Sequence, residues 1–217
     1  LSSTETELKY LLSRESFRSI YHCLCVNRKP SDKRSSLIRQ VNYYFASPDS
    51  PLAWHPINIR IRFIGEKSEL TCKIPILDKT TDTIQNSYEY NSRISRKEAC
   101  HFIENGLPAK TQAELFSDML ENHPLLPLDL ICYGHLRTAR FSFPVEDDLP
   151  PLLLDINAYL GTFDYELEWE LDQIQKADII LKGLFEKLNI SPIGRLKPKR
   201  RRFLEKLQES TGVHAFH

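Results

Sequence analysis

The feature that most constrains this chain is an alternation of side-chain character with a period of two. It recurs in segment after segment and gives each segment one ionic and one apolar face. In residues 4 to 12, Glu5, Glu7 and Lys9 share one side while Leu8, Tyr10 and Leu12 share the other. INIRIRFI (57 to 64) sets Arg60 and Arg62 against Ile59, Ile61 and Phe63, and ELTCKIP (69 to 75) sets Thr71 and Lys73 against Leu70, Cys72 and Ile74. Residues 87 to 94 align Glu89, Asn91 and Arg93. Within 131 to 143, Thr138 and Arg140 oppose Ala139, Phe141 and Phe143, and within 151 to 159 Asp155, Asn157 and Tyr159 align. DYELEWEL (164 to 171) places Glu166, Glu168 and Glu170 opposite Leu167, Trp169 and Leu171. With QVNYYFA (40 to 46), the pattern predicts about eight strands.

Helices fit only between these runs. Phe17, Ile20, Tyr21 and Leu24 follow a helical period behind Ser13 as N-cap. Ser95 and Glu98 form a capping box, with Gly106 at the far end, and Thr111 with Glu114 repeats that signature before Leu115 and Leu120. Ile174, Ala177, Leu181, Leu184 and Leu188 make the longest amphipathic stripe. Proline-rich and polar stretches at 27–36, 47–56, 123–129 and 144–151 read as loops inside one domain spanning 1–217. The class is α+β, with an antiparallel sheet.

Amphipathic strands ordinarily form an open sheet with the charged face in water. Two features favour another arrangement. The carboxylates gather in the first and last strands and the cations in the middle ones, although like charges at short range repel. Arginines also outnumber lysines on the middle strands, as suits bidentate contact with phosphate oxygens. Strands closed into a barrel would turn these faces onto a central channel, with helices on the apolar outside. Such a channel demands metal ions for its acidic wall and a polyanion for its basic one. On this view the acidic residues crowd one another, and Glu5→Gln or Glu168→Gln is expected to leave the fold intact.

Composition narrows the partners. Of the 217 residues 41% are hydrophobic, enough for a substantial core, and 29 basic residues balance 29 acidic ones, which argues against bulk attraction to nucleic acid or membrane. No apolar run reaches the roughly 20 residues of a membrane span, and the start of the chain carries no signal-like apolar stretch, so a cytoplasmic location is expected. Cys23, Cys25, Cys72, Cys100 and Cys132 lack metal-site spacing and read as reduced thiols.

Ordered motifs then carry a family resemblance. Glu5-Thr6-Glu7-Leu8-Lys9 resembles the E-x-E-x-K signature of the CYTH superfamily of triphosphate tunnel metalloenzymes. Arg60-Ile61-Arg62 resembles its R-x-R strand, Leu70 to Lys73 its L-T-x-K strand, and Leu136 to Arg140 its later basic strand. Leu154 to Gly161 and Asp164 to Glu168 resemble its L-D-x-x-x-Y-x-G and D-Y-E-L-E segments, and Lys199 to Phe203 a C-terminal K-x-x-R-F motif of a bacterial branch that includes inorganic triphosphatases and resembles thiamine triphosphatase. In the basic strand Arg137 and Arg140 lie three apart, so a regular strand turns only Arg140 inward.

The resemblance implies a closed eight-stranded antiparallel barrel with a polar tunnel and metal-dependent attack on a linear triphosphate. It implies Glu5, Glu7, Asp155, Glu166 and Glu168 as ligands for Mg²⁺ or Mn²⁺, and Lys9, Arg60, Arg62, Lys73, Arg140, Lys199 and Arg202 as substrate contacts. Glu5, Glu7, Lys9 and Glu168 are the catalytic candidates, and Glu170 and Glu89 are weaker additions. The substrate implied is a small polyanion, with inorganic tripolyphosphate ahead of thiamine triphosphate or a nucleoside triphosphate, and the protein would be a monomer or homodimer. The basic run Gly194 to Arg202 then reads as part of a lid or plug over 190–217, with Lys199 and Arg202 reaching the ligand and Arg200 and Arg201 facing solvent. Trp169 and Phe203 read as outer-core residues, Tyr159 as a packing or hydrogen-bonding residue, and His22, His101, His214 and His217 as no ligands. Adenylate cyclase chemistry on the same metals, or triphosphate binding without turnover, are the alternatives.

Overall fold

The computed structural model describes residues 2–26, 36–49, 57–76, 83–117, 128–192 and 197–211. Eight strands run in the order β1 (Ser2–Leu12), β2 (Ser36–Ala46), β3 (Asn58–Ile64), β4 (Lys67–Pro75), β5 (Ile84–Ile94), β6 (Ile131–Phe143), β7 (Leu152–Tyr159) and β8 (Thr162–Glu170). They close into a barrel in the order β1-β5-β4-β3-β2-β6-β7-β8, and every neighbouring pair is antiparallel. Closure follows from β1 pairing with both β5 and β8, which leaves no free edge. Because β1 and β8 are neighbours, the two acidic strands form one wall, with Lys9 opposite Glu168 and Glu7 opposite Glu170.

The apolar faces turn outward under the helices. Leu8, Leu154, Leu167 and Trp169 pack with Phe17 and Ile20 of α1 (Arg14–Val26) and with Ala177 and Leu181 of α4 (Ile174–Leu188). Trp169 is an outer-core residue as expected, and its indole N–H donates to Pro150 O at 2.7 Å. Ile61, Leu70 and Cys72 pack with Ala99 of α2 (Arg96–Asn105) and with Phe116, which follows α3 (Ala109–Leu115). Burying a side chain of this size contributes about 1.5–3 kcal/mol.

Three of the four caps expected from the sequence form, those at Ser13, at Ser95 with Glu98, and at Gly106. The Ser16 N–H donates to Ser13 Oγ at 3.0 Å, and the Ser95–Glu98 capping box is formed in both directions. Gly106 ends α2 at φ 91°, where a Cβ would meet Leu130 O at 2.7 Å. α3 departs from expectation: Thr111 lies inside the helix, not at its cap. Pro108 leads into it, and the Asp129 carboxylate accepts the Ala109 N–H at 2.8 Å, so a residue 20 positions away does the capping. Leu120, His214 and His217 and the loops at 27–35, 50–56 and 123–127 lie outside the described residues.

Two sequence expectations are corrected at one end of the barrel. A bulge in β6 pairs Tyr44 with Gly134 and Phe45 with Cys132, leaving Tyr133 unpaired and turned inward. Against Tyr44, Tyr133 and Tyr159 lies Phe203 of α5 (Lys199–Thr211), at ring separations of 5.8, 5.9 and 6.0 Å. Phe203 is therefore packed inside the barrel end and is not an outer-core residue. Arg200 does not face solvent: its Nε donates to Tyr133 Oη at 2.7 Å, which the bulge turns inward, and its Nη1 to Ile57 O at 3.0 Å, just ahead of β3. Arg201 is exposed, as is Arg137, whereas Arg140 points into the barrel. No helix among the described residues is long and apolar enough to cross a membrane.

Candidate active site: two charged walls around a central cavity

The inward faces of the strands enclose a cavity of about 140 Å³. Glu5, Glu7, Lys9, Arg60, Arg62, Lys73, Arg140, Glu168 and Lys199 all line it. Arg202, Asp155 and Glu166 sit immediately behind this lining, through the ion pairs of Lys199 and Arg140.

On the acidic wall the period of two brings Asp155 of β7 opposite Glu166 of β8, with Glu168 one step along. One carboxylate oxygen from each lies within 4.8 Å of the others, and all three residues are buried. Glu5 and Glu7 do not join that trio. They face it from β1, where Lys73 Nζ holds Glu5 Oε2 at 2.8 Å and Lys9 Nζ bridges Glu7 Oε1 and Glu168 Oε1 at 3.0 and 3.1 Å.

The carboxylates are interleaved with cations, which corrects the expectation of a crowded acidic wall. Arg140 grips Asp155 with two hydrogen bonds, at 2.8 and 2.7 Å, and also contacts Glu168. Lys199 Nζ meets all three members of the trio: Asp155 Oδ2, Glu166 Oε2 at 3.1 Å and Glu168 Oε1 at 2.9 Å. Arg202 binds Asp164, which also accepts from Tyr159 Oη and Asn157 Nδ2, both at 2.8 Å.

The protonation states follow. Burial pushes the Glu168 carboxyl up, but Lys199, Lys9 and Arg140 outweigh it and hold the group well below the usual range. Glu7 is likewise held down against burial by Lys73 and Lys9. Glu5 goes the other way: burial raises it to about 7, Glu89 adds to the rise, and Lys73 only partly offsets both. Burial lowers the affinity of Lys9, Lys73, Arg140 and Lys199 for their protons, yet the surrounding carboxylates raise all four above their ordinary values.

The basic wall across the cavity is less committed. Arg60 reaches Glu89 only at 3.7 Å, and its buried Nε has no hydrogen-bond partner. Arg62 Nε donates to the neutral Asn42 Oδ1 at 3.1 Å. Two planar cations at alternate positions on one face of a strand, with donors to spare, suit a multiply charged oxyanion. On the other wall, Glu166 Oε1 is buried and 3.0 Å from Arg202 Nη2 but accepts no hydrogen bond. Three hard carboxylate donors within 4.8 Å of one another suit a hard divalent cation.

Sequence reasoning underweighted Glu89, which is buried between Lys73 and Arg60, and missed Gln40, Asn42 and Tyr44 as lining residues. Dividing QVNYYFA into its two faces, as was done for the other strands, would have placed them inside.

Comparison with known proteins agrees with this architecture. The CYTH domain model matches residues 3–203. Among solved structures, a Hippeastrum protein described as an adenylyl cyclase candidate that reveals a dominant triphosphatase activity is 21% identical, with a TM-score of 0.74 over 93% of this chain and 95% of its own. A Bacillus halodurans protein described as an adenylate cyclase candidate is 26% identical, with a TM-score of 0.68 over 93% and 98%. PH1819 from Pyrococcus horikoshii is 18% identical, with a TM-score of 0.56 over 93% and 99%. No curated protein matches the sequence. The matched span takes in all eight strands of the barrel and both charged walls, and the chain belongs to the CYTH domain family.

Proposed function

We propose that this protein is a metal-dependent hydrolase that cleaves the terminal phosphoanhydride of a linear triphosphate, with inorganic tripolyphosphate as its substrate. The observation that carries this reading is the buried trio of Asp155, Glu166 and Glu168, of which Glu168 reaches the cavity lining, set against the under-partnered Arg60 and Arg62 on the same lining. That lining is ionic, so it favours a chain of phosphates over a buried organic group.

Asp155, Glu166 and Glu168 would hold the cation, with Glu5 and Glu7 at its flank. A bound Mg²⁺ or Mn²⁺ would neutralise phosphate charge and orient the attacking water. Arg60 and Arg62 bind the phosphate chain from the other side, and Arg140 and Lys73 stand beside them with their protons firmly held. Lys9, fixed between Glu7 and Glu168, positions both carboxylates and adds charge where negative charge builds on the departing diphosphate. α5 closes the cavity as a plug, with Lys199 and Arg202 reaching inward. The Hippeastrum structure, whose description reports a dominant triphosphatase activity, shares this fold.

The test is release of orthophosphate from tripolyphosphate, thiamine triphosphate and ATP with Mg²⁺ or Mn²⁺, with and without chelator. Tripolyphosphate is expected to be cleaved fastest and chelator to abolish the reaction. Arg60→Ala is expected to raise KM about tenfold or more with a smaller effect on kcat. Cyclic AMP and pyrophosphate from ATP would instead assign a cyclase, and tight binding without turnover a binding module.

A further inference from the structure

Lys199 sits where a cation belongs. Its ammonium touches one oxygen from each of Asp155, Glu166 and Glu168, the same three carboxylates whose spacing would hold a metal ion. The lysine also lines the phosphate-sized cavity together with Arg60 and Arg62. The helix that carries it is fixed independently: Phe203 is packed among three tyrosines, and Arg200 is bonded to Tyr133 and Ile57. The side chain, with four methylenes between backbone and charge, can therefore change partner while the helix stays in place.

We propose that Lys199 is a built-in stand-in for the divalent cation, occupying the carboxylate trio until metal displaces it into the cavity, where it joins the phosphate contacts. This inference rests on the metal-dependent reading above and adds a coupling to it. Free metal has to expel an ammonium from three carboxylates. The expelled ammonium gains a partner only when a triphosphate is present. Metal and triphosphate therefore strengthen each other's binding, by the same factor in both directions. The arrangement also keeps the buried carboxylates compensated between turnovers, since an unpaired buried charge is costly.

The experiment is Mn²⁺ titration followed by electron paramagnetic resonance. It is run on the whole protein alone and with a tripolyphosphate analogue whose bridging oxygens are imido groups. Wild type, Lys199→Met and the exposed-site control Arg201→Met are compared. Without analogue, Lys199→Met is expected to bind Mn²⁺ about tenfold or more tightly than wild type, and the tightening that the analogue produces in wild type is expected to shrink. Arg201→Met should match wild type. If Lys199→Met is poorly folded without metal, its melting temperature should rise with Mn²⁺ far more than that of wild type, which supports the same conclusion. A Lys199→Met protein that binds Mn²⁺ no tighter than wild type and gains no more thermal stability from it overturns the proposal. If wild type shows normal analogue-dependent Mn²⁺ binding in that case, only the stand-in role is lost. If wild type binds no Mn²⁺ even with the analogue, the metal-dependent reading falls and this inference with it.

Discussion

At the scale of single residues, two glutamates on neighbouring strands, Glu5 of β1 and Glu168 of β8, behave oppositely, and their surroundings explain why. Glu5 is raised from an ordinary 4.5 to about 7 by burial, so the folded protein binds its proton more tightly than the unfolded chain does. Stability from this group is fully present below about 4.5 and is lost as pH rises through about 7. Glu5→Gln should therefore raise the melting temperature of the metal-free protein at pH 8 and leave it nearly unchanged at pH 4. Glu168 has the reverse sign: its depressed value contributes stability above its unfolded value of 4.5, lost as pH falls through the lower folded one. Glu168→Gln leaves Lys199, Lys9 and Arg140 short of a partner and should cost roughly 3–5 kcal/mol at neutral pH. Thermal melts of both variants across pH in the presence of chelator check the signs. The sequence supports grouping these two carboxylates as metal-ligand candidates but conceals their difference, because that difference depends on Lys199, thirty-one positions beyond Glu168 in the chain.

At the scale of elements, the strands were legible and the last helix was not. Each strand displays both of its faces in consecutive residues, so Arg60-Ile61-Arg62 or Glu166-Leu167-Glu168 reveals its alternation within three positions. α5, KRRRFLEKLQEST, hides part of its buried side behind charge: Lys199 and Arg202 reach inward, as the resemblance implies, but Arg200 reads as solvated and Phe203 as outer core, and both are buried. The β6 bulge was equally hidden, since nothing local marks Tyr133 as turned inward. The plug and the bulge meet at Gly134, where a Cβ would lie 2.6 Å from Phe203 Cζ. Gly134→Ala is expected to destabilise the protein by about 1–3 kcal/mol through overpacking, and Phe203→Ala by about 3–5 kcal/mol through the void it leaves. In chemical denaturation the double variant should lose less than the sum of the two, because removing the ring makes room for the methyl. Additive losses would mean that Phe203 is not held against that glycine.

At the scale of the whole molecule, closure of the sheet converts a pattern common on open surfaces into a site. Carboxylates on β1, β7 and β8 and guanidinium groups on β3 are far apart in sequence, and they face one another only because β1 bridges β5 and β8. Segregated charge foretold the two walls, but not how thoroughly the protein would neutralise its own acidic wall with Lys9, Arg140 and Lys199. The outcome is a cavity whose acidic side has its cations already in place and whose basic side has donors to spare. The most direct measurement is a crystal structure of the protein with Mn²⁺ and the imido analogue of tripolyphosphate, with manganese located by its anomalous scattering. The expected result is manganese among Asp155, Glu166 and Glu168, and phosphate density between it and the guanidinium groups of Arg60 and Arg62. Manganese and phosphate bound on the outer surface, with the barrel interior unchanged, would contradict it.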